Sequence, residues 1–309
     1  MTNEFSRGVA ACRWASLLAA TALLPLVACS PQEMLVRRVA DSLAAGADAE
    51  EEDLLLARDS APAHLKASES LLRQVPDHLK LAETVSAGFT QYAYAFVAFE
   101  AEKLETRDAR AAQRLQQRAA RLYRRAHRHA MTALLAHRPG LTQSLQSPQA
   151  VGSRAASGAA DALPGEAVGT AYWAAASWGA WIAMSKNDPD VVADFPRAHA
   201  LARLAFERSP DHAEGALAAL MGTFEVARPG GSLAEAETHF ARAEAAGGGR
   251  NAGVYVAMAE SLALPAGDRR RFEQLLRRAL ASAAGRSDLA SQVMGERAAW
   301  LLATIDDRF

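Results

Sequence analysis

The residues with the clearest potential to bind a ligand lie in one uncharged segment, residues 167–185, and directly after it. They are Tyr172, Trp173, Trp178, Trp181 and Lys186. At 100° per residue, the three tryptophans spread over an arc of about 140° on a helix. These rings could line an apolar cavity, with the lysine near its end to meet a carboxylate. The alternative is that all four rings pack in a core and that the lysine is a solvated turn residue.

The same segment is long enough to suggest a membrane helix, but its composition argues against one. Much of it is Ala, Gly, Ser and Thr. These residues contribute little transfer free energy compared with Leu or Ile. Because the tryptophans cover too wide an arc for a single interface stripe, we predict a central helix that is surrounded by other helices.

Other residue patterns do not predict catalysis or metal binding. His127 and His129 are the one close histidine pair, and on a helix they point about 200° apart, which suits a shared metal poorly. The glycine-rich residues 247–250 follow a helix rather than a strand, so a phosphate cradle is not expected. The sequence has no Gly-x-Ser-x-Gly elbow, no Walker loop and no His-Glu-x-x-His. We predict a protein that is not an enzyme and that has no cofactor and no metal.

The N-terminus has the features of a processed export signal. Arg7 and Arg13 precede an apolar run over residues 14–27 that is too short to span a bilayer. Leu26-Val27-Ala28-Cys29 resembles a lipobox, which implies cleavage after residue 28 and acylation of Cys29. The alternative is an ordinary secretory signal. A lipobox implies a periplasmic domain on a membrane anchor, and Ser30 favours the outer membrane.

Cysteine content and charge argue against disulfide bonds and against a nucleic-acid partner. The two cysteines are Cys12, in the signal, and Cys29, so no disulfide is expected. Removal of Glu4, Arg7 and Arg13 with the signal leaves 32 basic and 34 acidic residues. This balance argues against a nucleic-acid partner. The most basic segment, residues 121–138, is predicted to be an amphipathic helix with a solvated cationic face.

The pattern along the chain is helical, without convincing strand alternation. Phe89, Tyr92, Phe96 and Phe99 are spaced three, four and three residues apart, which predicts four rings on one buried helix face. Three further helices are predicted to end before a proline, because proline cannot continue a helix. Those prolines are Pro76, Pro139 and Pro210.

The spacing of these helix ends favours helix-pair repeats. The intervals of 63 and 71 residues are about twice the length of a tetratricopeptide repeat. Such repeats pack small and large residues at a spacing of four and then three. This spacing occurs in two sets: Ala236, Phe240 and Ala243, and Phe272, Leu276 and Ala279. Glycine turns bracket the helix that contains the first set. We predict an all-α, compact superhelical domain over residues 29–309. The low-complexity residues 144–165 form a connector, either a linker or a loose helix.

A longer stretch of sequence carries a family resemblance. Residues 172–182 (YWAAASWGAWI), followed by Ser185-Lys186-Asn187-Asp188-Pro189, resemble the signature of the T component of tripartite periplasmic TRAP transporters. The resemblance continues through Ser209-Pro210-Asp211 and Pro229-Gly230-Gly231, and it covers most of residues 65–305. Residues 144–165 match little.

The resemblance implies a tetratricopeptide-like lipoprotein with no enzymatic activity. It would be a homo-oligomer with a cavity or pore near the repeats, and its partner would be the periplasmic solute-binding protein. It could also hold or pass on the ligand. Two other classes remain open: a lipid-anchored scaffold for envelope assembly and a periplasmic hydrolase, which would need a polar cleft with perturbed carboxylates.

Overall fold

A computed structural model describes residues 31–45, 53–146 and 163–309. The predicted signal peptide 1–28, the predicted acylation site Cys29 and most of the predicted connector lie outside the described residues.

The chain divides into two units, residues 1–35 and residues 36–309. The second unit is compact and contains the hydrophobic clusters on which the description below rests. A unit with its own core is able in principle to fold by itself.

The described residues contain helices and no strand, which confirms the all-α prediction. The α-helices, numbered in chain order, are α1 (Pro31–Ala45), α2 (Leu54–Leu72), α3 (Leu79–Ala93), α4 (Phe99–Leu104), α5 (Ala109–His137), α6 (Leu141–Gln146), α7 (Val168–Met184), α8 (Pro189–Ala193), α9 (Phe195–Arg208), α10 (Ala216–Ala227), α11 (Leu233–Ala246), α12 (Ala252–Met258), α13 (Arg269–Ala283) and α14 (Leu289–Ala303). Four short helical turns of other types adjoin them: the π turns Tyr94–Ala98 and Ala259–Ala263 and the 3₁₀ turns Gly165–Ala167 and Ile305–Asp307.

Local sequence determines where many of these helices begin. A side-chain oxygen of the residue before the helix accepts a hydrogen bond from a backbone N–H of the first turn, which would otherwise have no partner. These capping residues are Asp53, Asp108, Asp188, Ser232, Asn251, Asp268 and Asp288.

The helix ends that proline predicted are also present. α2 ends at Leu72, α5 at His137 and α9 at Arg208, each a few residues before its proline. The turn before α11 needs glycine for a steric reason. A Cβ atom on Gly231 would lie 1.8 Å from the carbonyl oxygen of Glu225, so the chain could not pass so close with any other residue.

Helices that are near each other in sequence pack on each other. α3 packs on α5, α7 on α9, α10 on α11 and α12 on α13, and α14 then packs on α13. Two predicted small-and-large sets are fully buried between these helices: Ala236, Phe240 and Ala243 on α11, and Phe272, Leu276 and Ala279 on α13.

The uncharged helix α7 lies at the centre of the largest hydrophobic cluster. It contacts α3, α5 and α9, and it contributes Val168, Trp178 and Ile182 to the core. α7 therefore has the predicted central position, but other helices do not surround it on every side, because Ala183 is exposed. Among the described residues, no helix is both long and apolar enough to cross a membrane.

The last α-helix, α14, contacts α4. Glu296 on α14 forms an ion pair with Lys103 at 2.8 Å, and Arg297 forms one with Glu102 at 3.0 Å. Trp300 packs edge-on against Phe99, with ring centroids 5.3 Å apart. This contact between α4 and α14 therefore combines charges with aromatic rings.

The aromatic stripe predicted over residues 89–99 is divided by a π turn. Phe89 and Phe99 are buried, but Tyr92 and Phe96 are only partly buried. A π turn adds one residue to the helical cycle, so residues after it rotate relative to those before it. Phe89 consequently packs near His129, whereas Phe99 packs on Trp300, so the prediction of one shared buried face is wrong.

Candidate functional site

The second unit contains a cavity of about 1360 Å³ that is bordered mainly by apolar side chains. Its wall comes from α3 with the following π turn, from α5, α7, α9, α10 and α12, and from α14. This volume exceeds that of most small-molecule sites, which are roughly 300–1,000 Å³. The lining is therefore built from helices that lie far apart in the sequence.

One face of α7 forms the central part of the wall. The face carries small residues at helical spacing, Ala176, Gly179, Ala180 and Ala183. Small side chains at i, i+3, i+4 and i+7 leave space on one side of a helix. Tyr172 and Trp173 lie at one end of this face and Lys186 follows its other end, and all three line the cavity.

The two rings at the start of α7 contact each other. Tyr172 and Trp173 have ring centroids 4.8 Å apart in an edge-on arrangement, and Tyr172 also contacts His212 at 5.6 Å. Burial raises the pKa of Tyr172 to about 12. The tyrosine therefore stays protonated at neutral pH and presents a neutral hydroxyl.

The lysine at the other end of the face has a different environment. Lys186 is exposed, and in the described part of the chain it forms no ion pair with a carboxylate. Its ammonium is therefore available to meet a negative group of a ligand. A lysine acts as a point charge with rotatable donors, so it does not require a planar bidentate partner.

Polar groups form the smaller part of the cavity surface, and the charged residues besides this lysine are Glu214, Arg250, Arg286 and Asp288. The Tyr94 hydroxyl donates to the Met294 sulfur at 3.9 Å. Arg286 binds Asp288 and Ser291, each at 2.9 Å, at the start of α14. A mostly apolar wall with a few fixed polar groups is typical of sites for amphipathic small molecules.

Two of the predicted site residues do not line this cavity. Trp178 and Trp181 lie on the opposite face of α7, where both contact the ring of His127 on α5, at 4.3 Å and 6.2 Å between centroids. Trp178 is 6% exposed, and the guanidinium of Arg124 lies over Trp181 at 5.5 Å. The structure thus brings together Tyr172, Trp173 and Lys186 and separates the other two from them.

The histidine pair on α5 also serves packing rather than a shared metal. His127 Nδ1 donates to the Ala174 carbonyl at 3.1 Å, while His129 Nε2 contacts Glu69 at 2.8 Å. Burial lowers the pKa of His127 to about 4, so its ring is neutral at neutral pH. Among the described residues, no group of three or more His, Cys, Asp and Glu could hold a metal ion.

The buried carboxylates are bound by cations outside the cavity. Burial alone would raise the pKa of Glu225, but Arg228 and the Ser232 N–H bind it and lower the pKa to about 2. Glu69 is bound by Arg125, Lys66 and His129, and burial is again outweighed, so its pKa is lowered. Carboxylates that remain ionised in this way are poor general acids.

Sequence reasoning missed several residues that line the cavity. Phe195 and Phe224, whose ring centroids are 5.4 Å apart, form part of the wall, as do Tyr94 and Tyr123. They come from four other helical segments, so no local spacing relates them to α7. The one sequence feature that could have indicated the cavity is the row of small residues on one face of α7.

Two comparisons with known proteins match most of this chain. An uncharacterized protein of Treponema pallidum (strain Nichols) is 28% identical over 266 residues, which cover 84% of this chain and 81% of that protein. The sequence model of the TRAP transporter T-component family matches residues 50–309. The matched part includes α2 to α14 and every residue that lines the cavity. The chain therefore belongs to the TRAP transporter T-component family.

Proposed function

We propose that this protein is a lipid-anchored, periplasmic accessory component of a TRAP transporter, which binds the solute-binding protein and holds its ligand in the cavity. Family membership supports a role with the transporter. The observation that carries the ligand-holding role is the apolar cavity of about 1360 Å³. The proposed role requires no catalysis, and the two buried carboxylates Glu69 and Glu225 are bound by cations outside that cavity.

The proposed ligand has an apolar body and one anionic group. Trp173 and Tyr172 contact the apolar part, the small residues on α7 leave room for it, and Lys186 meets the anionic group. Trp178 and Trp181 act indirectly, because they hold α7 against α5.

The proposed architecture is a stack of tetratricopeptide-like helix pairs. The pairs are α3 with α5, α7 with α9, α10 with α11 and α12 with α13. Their mutual packing and the buried small-and-large sets on α11 and α13 support this arrangement. In such stacks each pair contacts mainly its neighbours, and the stack encloses an inner binding surface.

The proposed anchor is an acylated Cys29 after removal of residues 1–28, with the outer membrane as the favoured location. It rests on the N-terminal sequence pattern alone. The family resemblance further favours a homo-oligomer. The anchor keeps the protein beside its membrane partners, so a weak contact with the solute-binding protein would suffice.

Two fluorescent probes test the ligand site. 1-Anilinonaphthalene-8-sulfonate has an apolar ring system with a sulfonate, whereas N-phenyl-1-naphthylamine has no charge. We expect Lys186→Gln to weaken sulfonate binding about two- to fivefold, as for a partly exposed ion pair, and to leave the neutral probe unchanged. Ala176→Phe should weaken both, because its ring would take up space in the cavity beside α7. Titrations followed by fluorescence measure both dissociation constants.

Matched controls make this test decisive. Lys80→Gln removes an exposed lysine that lies outside the cavity and should change neither probe. If Ala176→Phe leaves both dissociation constants as in the parent, the probes bind elsewhere and the cavity is not the site. An equal effect of Lys186→Gln on the two probes would contradict the role of its charge.

A further inference from the structure

The longest helix of the described residues, α5, carries a row of exposed arginines. They are Arg110, Arg114, Arg118, Arg121, Arg124 and Arg128. At 100° per residue, their spacing keeps all six within an arc of about 120°. At 1.5 Å per residue, the row is about 27 Å long. We call these six residues the arginine face.

The arginine face has no acidic neighbours along its own helix. α5 contains no Asp or Glu, and the nearest acidic residues before it are Glu105 and Asp108, of which Asp108 caps the helix. Glu69, on the neighbouring helix α2, is bound by Arg125, Lys66 and His129. In the part of the chain that the structure describes, no carboxylate forms an ion pair with any of the six arginines.

Two aromatic rings hold part of the arginine face in place. Arg118 lies 5.9 Å from the Tyr92 ring and donates to its hydroxyl at 3.4 Å, and Arg124 lies over Trp181 at 5.5 Å. A guanidinium that stacks on a ring keeps its N–H donors free at the edge. These two side chains are therefore arranged in advance for a further partner.

The concentration of charge has a cost for the isolated helix. Like charges three or four residues apart repel each other and destabilise a helix. The whole chain has a net charge of only −1, so this row is a local excess and does not reflect a generally basic surface. A helix face with both acidic and basic residues would keep the protein equally soluble. The uniform row of arginines therefore indicates an anionic partner.

We propose that the arginine face docks on the anionic phospholipid headgroups of the membrane to which the protein is anchored. The proposal rests on the proposed anchor at Cys29, which keeps the domain at a bilayer. A straight row of guanidiniums fits a flat array of phosphates, because each guanidinium can bind a phosphate through two N–H groups. Acyl chains often act together with a basic patch in membrane attachment. The anchor holds the domain, and the arginine face fixes which side meets the lipid.

Vesicle sedimentation tests this docking without the acyl chains. The chain from Ser30 onwards contains the compact unit, residues 36–309, and lacks Cys29. It is mixed with phosphatidylcholine vesicles that either contain or lack phosphatidylglycerol, at low and at high salt. We expect binding to the anionic vesicles only, and release at high salt because ions screen the attraction.

A triple substitution locates the binding surface. Arg110→Gln, Arg114→Gln and Arg121→Gln remove three arginines of the face that contact no ring. Each arginine near an anionic surface contributes about fivefold, so the triple variant should partition about a hundredfold less. The control is the triple variant Arg38→Gln, Arg208→Gln and Arg270→Gln, with three exposed arginines from α1, α9 and α13. It carries the same net charge and should bind like the parent. Circular dichroism checks that both variants fold.

The other outcomes would overturn the proposal. An arginine-face variant that binds anionic vesicles as tightly as the parent, or a control that loses as much, would exclude this face as the lipid site. If the variant instead loses only association with the solute-binding protein or with a second copy of the chain, the face serves that protein contact. Acylation of Cys29 is tested separately, by fatty-acid labelling of the full chain and its Cys29→Ser variant. Failure of docking is thereby distinguished from failure of the anchor.

Discussion

Trp173 and Trp178 lie five residues apart on α7 and have different surroundings. Trp173 lines the cavity, whereas Trp178 is buried and packs on His127. We expect Trp178→Ala to lower the free energy of unfolding by about 3–5 kcal/mol, because a large ring leaves a void in a packed core. Trp173→Ala should cost less and should weaken binding of the neutral probe. Urea unfolding measures the first effect and probe titration the second. Equal losses of stability would contradict the assignment of the two faces.

His127 predicts how stability depends on pH. Its pKa is about 4 in the folded protein because of burial, below the ordinary value near 6.5. Between these values the unfolded chain binds a proton that the folded protein does not, so stability falls as the pH falls from about 6.5 towards 4. From pH 7 to pH 5 this one histidine should cost about 2 kcal/mol.

Substitution of the histidine isolates its share of the pH dependence. Burial also lowers the pKa values of four other histidines, His129, His199, His212 and His239. The pH dependence of the parent's unfolding free energy therefore includes contributions from these residues as well. His127→Gln should reduce the difference in unfolding free energy between pH 7 and pH 5, measured by urea unfolding. His64→Gln, at an exposed position, is the matched control. Parent-like pH dependence in His127→Gln would show that His127 is not the buried neutral group described here.

Sequence could identify the residues of α7 but not which side of it faces the cavity. Both sides are apolar, because the large rings of Trp178 and Trp181 pack on α5 and the small residues face open space. Hydrophobic periodicity does not distinguish packing from a cavity wall, since both bury apolar groups. Residue volume does distinguish them here. Ala176, Gly179, Ala180 and Ala183 mark the cavity side through the space that they leave.

At the scale of helices, Glu69 joins α2 to α5. Its buried carboxylate binds Arg125 through two hydrogen bonds and also binds His129 and Lys66. Glu69→Leu should lower the free energy of unfolding by about 2–4 kcal/mol, because Arg125 then loses its partner in a half-buried site. The double variant Glu69→Leu with Arg125→Met should cost clearly less than the sum of the two single variants. Additive losses in urea unfolding would show that the pair is not coupled.

Helix boundaries were predictable where a single residue determines them. Proline and the glycine turns marked helix ends correctly, because their backbone restrictions act locally. The π turn at residues 94–98 was not predictable in the same way, since its residues are ordinary helix formers. It changed the register, so that Phe89 and Phe99 pack on different partners. Sequence spacing assumes a uniform helix, and one inserted residue breaks that assumption.

At the scale of the whole molecule, α14 both contacts α4 and contributes to the cavity wall. Arg297 on α14 pairs with Glu102 at 3.0 Å and with Glu260 at 2.5 Å, so it joins α4, α14 and the second π turn. Burial would lower the pKa of Arg297, but its interactions with Tyr94, Glu260 and Glu102 outweigh burial and raise that pKa, so the guanidinium stays charged. No repeat pattern predicts this contact, because Lys103 and Glu296 lie 193 positions apart in sequence.

The association with a solute-binding protein is the central claim of this account. Its most direct test tethers the mature protein and the TRAP solute-binding protein of the same organism to one supported bilayer, so that a weak contact is populated. We predict ligand-dependent association, measured by fluorescence energy transfer between the two proteins, and its reduction by Ala176→Phe. Energy transfer no greater than that for an unrelated tethered protein, with and without ligand, would contradict the account.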